Sequence, residues 1–229
     1  METSAGAAAG ATSGPGRLLL AVALGSLAGL AAADELSYEL PAAGSYALPA
    51  IDRVAEYELL DPSGGATSLL ALEDGQCAVV AFVYLSCTDA TGCPLSLATL
   101  QRLDHALAGR DDLVDRVRLV TVSFDPEHDG PAQMAHLSKH MGPRADWRFL
   151  TAASGPALDP VLRDYGQDAV PLVTSDGASL GLMRHVAKVF LVDDGGAVRN
   201  IYSSGFLDHR LLLRDVETLL LTGAATPRP

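Results

Sequence analysis

The sequence predicts an α/β fold: a mixed central sheet flanked by helices. Three features predict it: a nearly continuous apolar run over residues 77–86, leucines at helical spacing after Pro94, and a second β-rich run from Arg118 to Phe124. Strand, helix and strand in that order form a parallel βαβ unit, because a parallel partner strand needs a crossover long enough to hold a helix.

The first run, Cys77-Ala78-Val79-Val80-Ala81-Phe82-Val83-Tyr84, has no polar alternation, which marks a strand covered on both faces. A helix is expected from Pro94, since proline suits the first turn. Leu97, Leu100, Leu103 and Leu107 continue it, and Gly109 is its expected C-cap. Asp129 is expected to cap a helix from Pro131 to about Met141, with Met134, Leu137 and Met141 inward. Trp147 to Leu150 reads as a third short strand, and short strands within Ile51–Leu60 are expected at the sheet edge. Ala187–Val192 and Val198–Tyr202 flank Asp193-Asp194-Gly195-Gly196-Ala197, the pattern of an antiparallel hairpin. Asp208 is placed to cap a last helix carrying Leu212, Val216, Leu219 and Leu220. The order βαβα, then hairpin, then α is that of a thioredoxin-like fold.

A length of 229 residues suits one such domain plus an export segment. Arg17 is the only basic residue before Arg53 and directly precedes the apolar run Leu18–Ala33, which ends in Ala31-Ala32-Ala33 before Asp34. That is the form of a signal peptide, or of a membrane anchor through residues 18–33. As a helix it would be about 24 Å long, short of the roughly 30 Å hydrocarbon core. The expected division is therefore export segment 1–33, extended lead-in 34–56, domain 57–222 and tail 223–229. The domain is expected in the periplasm, or anchored on the outer side of a membrane. A formal charge of −12, without a basic cluster, excludes nucleic acid as a partner class.

The chemistry is expected at two cysteines. Cys77 opens the buried run and reads as a small core residue. Cys87 lies where the strand gives way to a loop, and Cys93 immediately precedes the helix from Pro94. Unpaired N–H groups and partial positive charge at a helix start favour thiolate, the form that binds soft metals or attacks disulfides. Five residues separate the two, and among them Asp89 and Gly92 are turn formers able to fold the loop back. Two sulfurs alone leave copper and disulfide chemistry open. An imidazole as third ligand would favour Cu(I). His185 is 92 positions beyond Cys93, just before the strand Ala187–Val192, at the rim of the same sheet.

These residues resemble a family. Phe82-Val83-Tyr84-Leu85-Ser86-Cys87, closing in Cys93-Pro94, resembles the metal-binding motif of the SCO/SenC proteins, which help to assemble the copper centre of cytochrome c oxidase. Val122-Ser123-Phe124-Asp125-Pro126-Glu127-His128-Asp129 resembles its S-x-D-P-x-x-D segment, and Trp147-Arg148-Phe149-Leu150-Thr151 its W-x-F-L-T segment. His185-Val186-Ala187-Lys188-Val189-Phe190-Leu191-Val192-Asp193, followed by Tyr202, resembles its histidine strand and hairpin. The similarity spans roughly residues 45–221. It implies Cys87, Cys93 and His185 as copper ligands, Cu(I) as cargo with Cu(II) the alternative state, and a copper-accepting respiratory protein as partner. One departure stands out: the family motif places three residues between its cysteines, and here there are five.

The rival reading is a thiol–disulfide oxidoreductase using Cys87 and Cys93 on partner cysteines. Copper delivery requires His185; dithiol exchange does not. A plain structural disulfide is the bland alternative, worth only about 2 kcal/mol for so small a ring. A peroxiredoxin's Pro-x-x-x-Thr/Ser-x-x-Cys signature is absent before Cys87. His136 and His140 have i,i+4 ligand spacing, but they flank the apolar face and are expected in solvent. Asp125 and Asp129 are expected to serve a turn and a helix cap, and to tune the site if they fall near the cysteine loop.

Overall fold

The computed structural model describes residues 38–223. The export segment expected at residues 1–33 and the tail beyond Gly223 lie outside them. Among the described residues no helix is long and apolar enough to cross a membrane.

Ten strands and four helices alternate along the described chain. Three short strands come first, β1 (Asp52–Arg53), β2 (Glu58–Leu60) and β3 (Ala66–Ser68). Then follow β4 (Cys77–Val83), α1 (Cys93–Leu107), β5 (Val117–Ser123), α2 (Pro131–Met141) and β6 (Trp147–Leu150). The second half runs α3 (Gly155–Asp164), β7 (Ala169–Val173), β8 (Ser179–His185), β9 (Lys188–Asp193), β10 (Ala197–Ser203) and α4 (His209–Gly223). The central sheet has the order β1-β10-β9-β4-β5-β6. Its β4, β5 and β6 are parallel, whereas β9 runs antiparallel to β4. The fold is thioredoxin-like.

Every residue of β4 and β5 is buried, because the sheet is covered on both sides. Val79 and Ala81 face Leu100 and Leu103 of α1 and Leu212 and Val216 of α4. Val80 and Phe82 face the other way, with Phe190, and with Leu158 and Val161 of α3. Strand alternation thus splits one apolar run between two cores.

Several boundaries differ from expectation. α1 starts at Cys93 rather than Pro94, behind Gly92, and is capped by Ala108 rather than Gly109. Gly130, not Asp129, caps α2; the Asp129 carboxylate is used elsewhere. Asp208 does cap α4, accepting the Arg210 N–H at 2.8 Å. Of the strands expected within Ile51–Leu60, β1 pairs with β10 at the sheet edge, but β2 pairs mainly with β3 and touches the sheet only at Thr151.

Besides β3, a helix and a hairpin are additional. Helix α3 is ten residues long with Pro160 inside it, and starts where the Ser154 hydroxyl accepts the Ala157 N–H. Strands β7 and β8 form a separate hairpin outside the central sheet. His185 therefore does not sit on the rim of the main sheet: it closes β8, paired with Ala169.

Candidate metal centre

The site is assembled at the end of β4. A turn in which the Cys87 N–H reaches Tyr84 O brings the chain out of the strand. The loop then closes on Asp89. Its carboxylate accepts the Thr91 N–H at 2.9 Å and the Thr91 hydroxyl at 2.8 Å, and its carbonyl accepts the Gly92 N–H at 2.9 Å. These bonds use up the longer Cys–Cys spacer as a compact turn. Cys93 begins α1 with its sulfur pointing back at the strand, where the Tyr84 N–H donates to it at 3.4 Å.

His185 arrives from the hairpin. Its Nε2 lies 3.5 Å from the Cys93 Sγ and 3.9 Å from the Cys87 Sγ. All three ligand atoms fall within 4.8 Å of one another. Nδ1 lies 3.1 Å from Met183 O. A carbonyl oxygen only accepts, so Nδ1 carries the proton and Nε2 turns its lone pair to the sulfurs. The rings of Tyr84 and Phe124 hold the imidazole from two sides, each with its centroid 5.3 Å away. A Cβ on Gly92 would lie 3.2 Å from Nε2, so only glycine lets the ring approach the loop this closely. Gly92→Ala is expected to displace the imidazole by a few tenths of an ångström. Metal affinity should then fall about 10-fold, within the range for residues that orient ligands, as read by chelator competition.

All three cysteines are free thiols. Cys93 is buried and Cys87 half-buried. Burial pushes the Cys93 thiol up to about 12, only partly offset by the Tyr84 N–H. This reverses the thiolate expected from the helix start: desolvation outweighs the partial charge there. Cys77 lies at the far end of β4, roughly 20 Å along the strand, and burial pushes its thiol up to about 12 as well.

The donor set suits a soft ion. Metal–sulfur and metal–nitrogen bonds of about 2.3 and 2.0 Å around a trigonal centre separate sulfur from nitrogen by about 3.7 Å. The distances of 3.5 and 3.9 Å straddle that value.

A profile of the SCO1/SenC family matches residues 47–221. The chain belongs to the SCO1/SenC family. No curated protein matches the sequence closely. Solved structures share the fold of this SCO1/SenC chain. ScoI of Bradyrhizobium japonicum with copper bound is 24% identical, with a TM-score of 0.57 over 72% of this chain and 98% of that one. Apo Sco1 of Thermus thermophilus is 24% identical, with a TM-score of 0.62 over 77% and 95%. BsSco, from the Sco family of cytochrome c oxidase assembly proteins, has an identified disulfide switch. It is 21% identical, with a TM-score of 0.58 over 76% and 97%.

Other residues singled out in the sequence fall into place around this SCO1/SenC site. The Asp129 Oδ2 accepts the Leu85 N–H at 2.9 Å and the Ser123 hydroxyl at 2.7 Å. It anchors the backbone two residues before Cys87, and burial raises its pKa above the usual carboxylate value. Asp125 is paired with His128 at 2.8 Å, which raises the histidine's pKa. His136 and His140 are exposed on α2. Sequence reasoning missed Gln167. It is 3% exposed, and its Nε2 donates to Val186 O at 3.0 Å, stapling the hairpin base beside His185. A lone glutamine between a helix and a weak strand carries no signal that would reveal this.

Proposed function

We propose that this chain binds one Cu(I) through Cys87, Cys93 and His185 and hands it to a copper-accepting respiratory protein such as cytochrome c oxidase. The observation that carries the reading is the tautomer-fixed Nε2 set 3.5 and 3.9 Å from two free thiols. Two thiolates and an imidazole suit Cu(I), whereas structural zinc takes four protein ligands. Among the described residues the cluster holds three. The copper-bound relative from Bradyrhizobium japonicum and the membership of the Sco family in oxidase assembly support the same reading.

Transfer follows from unequal exposure. Cys87 is half-buried, while Cys93 is enclosed. An incoming thiolate meets the ion on the Cys87 side, Cys87 leaves first, and the ion passes by shared ligation without a change of oxidation state. We place the domain outside the membrane, delivered by the segment at residues 18–33.

Dithiol exchange on partner cysteines is the second reading, favoured by the disulfide switch of BsSco. One feature weighs against it as the main role. Exchange has no use for an imidazole set 3.5 and 3.9 Å from the two sulfurs. Cu(I) titration of the reduced full chain, alongside His185→Ala, separates the two. Copper binding requires near one equivalent in the wild type and a loss of at least about 10-fold in affinity for the variant. Equal thiol exchange by both chains, with copper retained by neither, selects the second reading.

A further inference from the structure

We propose that the groove between the β7–β8 hairpin and α3 seats an extended segment of the copper recipient, one that carries Lys or Arg beside aliphatic side chains. The proposal rests on the copper-transfer reading above and names the partner chemistry it needs.

The groove has a volume of about 360 Å³ and is lined by the hairpin, α3 and the loop at residues 124–128. Leu158, Leu162 and Pro171 give it an apolar lining, and Leu182 on its wall is 42% exposed. Its carboxylates outnumber its one basic side chain, His128, by three to one. Asp125, Glu127 and Asp159 line it, and no Lys or Arg does. Asp125 is paired with His128, but Glu127 and Asp159 are exposed and in no ion pair among the described residues. A purely apolar occupant would strip water from these carboxylates without replacing it, which is costly. An acidic occupant would be repelled. A cationic side chain flanked by aliphatic ones satisfies rim and floor together.

Position supplies the link to transfer. Phe124 and Met183 also line the groove. Phe124 is one of the two rings against His185, and Met183 supplies the carbonyl that fixes its tautomer. A segment seated there lies against both supports of the imidazole whose Nε2 faces the two cysteines.

The test is selection of a random-peptide phage library on the full chain in mild detergent, without copper. Winning peptides should pair Lys or Arg with Leu, Val or Ile. They should bind Glu127→Lys/Asp159→Lys at least about 10-fold more weakly, with a larger gap at low salt. Absence of enrichment overturns the proposal, as do winners without a basic residue and binding indifferent to the charge reversal. The double variant should still take up one equivalent of Cu(I), and His185→Ala should still bind the selected peptides. A wild type that binds the peptides but no copper would sink the copper reading and leave the groove standing.

Discussion

Cys93→Ser is expected to lower Cu(I) affinity by more than about 100-fold, beyond the 10- to 100-fold carried by groups that merely orient ligands. The replacement leaves the fold largely undisturbed. Cys93 is 2% exposed and accepts a hydrogen bond from the Tyr84 N–H, which a serine oxygen can also accept. Urea unfolding should therefore change little while copper retention collapses. A second signature follows from the thiol itself. Burial holds Cys93 protonated up to about 12, so each ion bound there must expel that proton. Raising the pH removes this competition, and below 12 the Cys93 proton alone adds about 10-fold in apparent affinity per pH unit. In Cys93→Ser that contribution disappears, and the slope of log affinity against pH falls by about one. Competition with a colorimetric Cu(I) chelator across several pH values measures both. An unchanged slope would mean that Cys93 does not ligate the ion.

The difference between what the sequence revealed and what it hid has physical causes. β4 and β5 were legible because strands covered on both faces must be apolar throughout, and these are. The cysteine positions followed, since a strand end and a helix start bracket the loop. The β7–β8 hairpin was not legible. Val170, Leu172, Val173, Leu180 and Leu182 are all exposed there, so the burial alternation that marks a strand is missing, and Pro171 argues against one. Helix α3 was hidden by Pro160 in its interior. Because His185 rides on that hairpin, its meeting with the sulfurs depended on an element that residue patterns could not supply; only the family resemblance pointed there. The sign of the Cys93 shift was misjudged for a related reason. A helix start can be read from sequence, whereas the depth at which a sulfur is buried belongs to tertiary packing. The Met183 carbonyl that orients the imidazole is main chain, and no residue type advertises it.

Phe82→Ala is expected to have the largest effect on stability, about 3–5 kcal/mol, because it empties a large buried site that cannot collapse easily. Phe82 is 1% exposed in the middle of the covered sheet. Its ring meets Tyr165 edge-on at 5.0 Å and Phe190 at 5.9 Å, and those two rings contact each other at 5.1 Å. Removing it breaks two of three contacts in an aromatic triangle that joins β4, β9 and the end of α3. For a chain of this size the melting temperature should drop by roughly 6–20 °C. The consequence for the site is the more telling part. His185 is held by Tyr84, Phe124 and Met183, none of which belongs to that triangle. Below its melting transition, Phe82→Ala should therefore still bind one equivalent of Cu(I). Paired with Cys93→Ser, it forms a double dissociation: one variant loses stability and keeps the metal, the other loses the metal and keeps stability. A Phe82→Ala chain that unfolds normally but fails to bind copper would show that the hairpin's grip on His185 is transmitted through the sheet's second core, against the local support argued here.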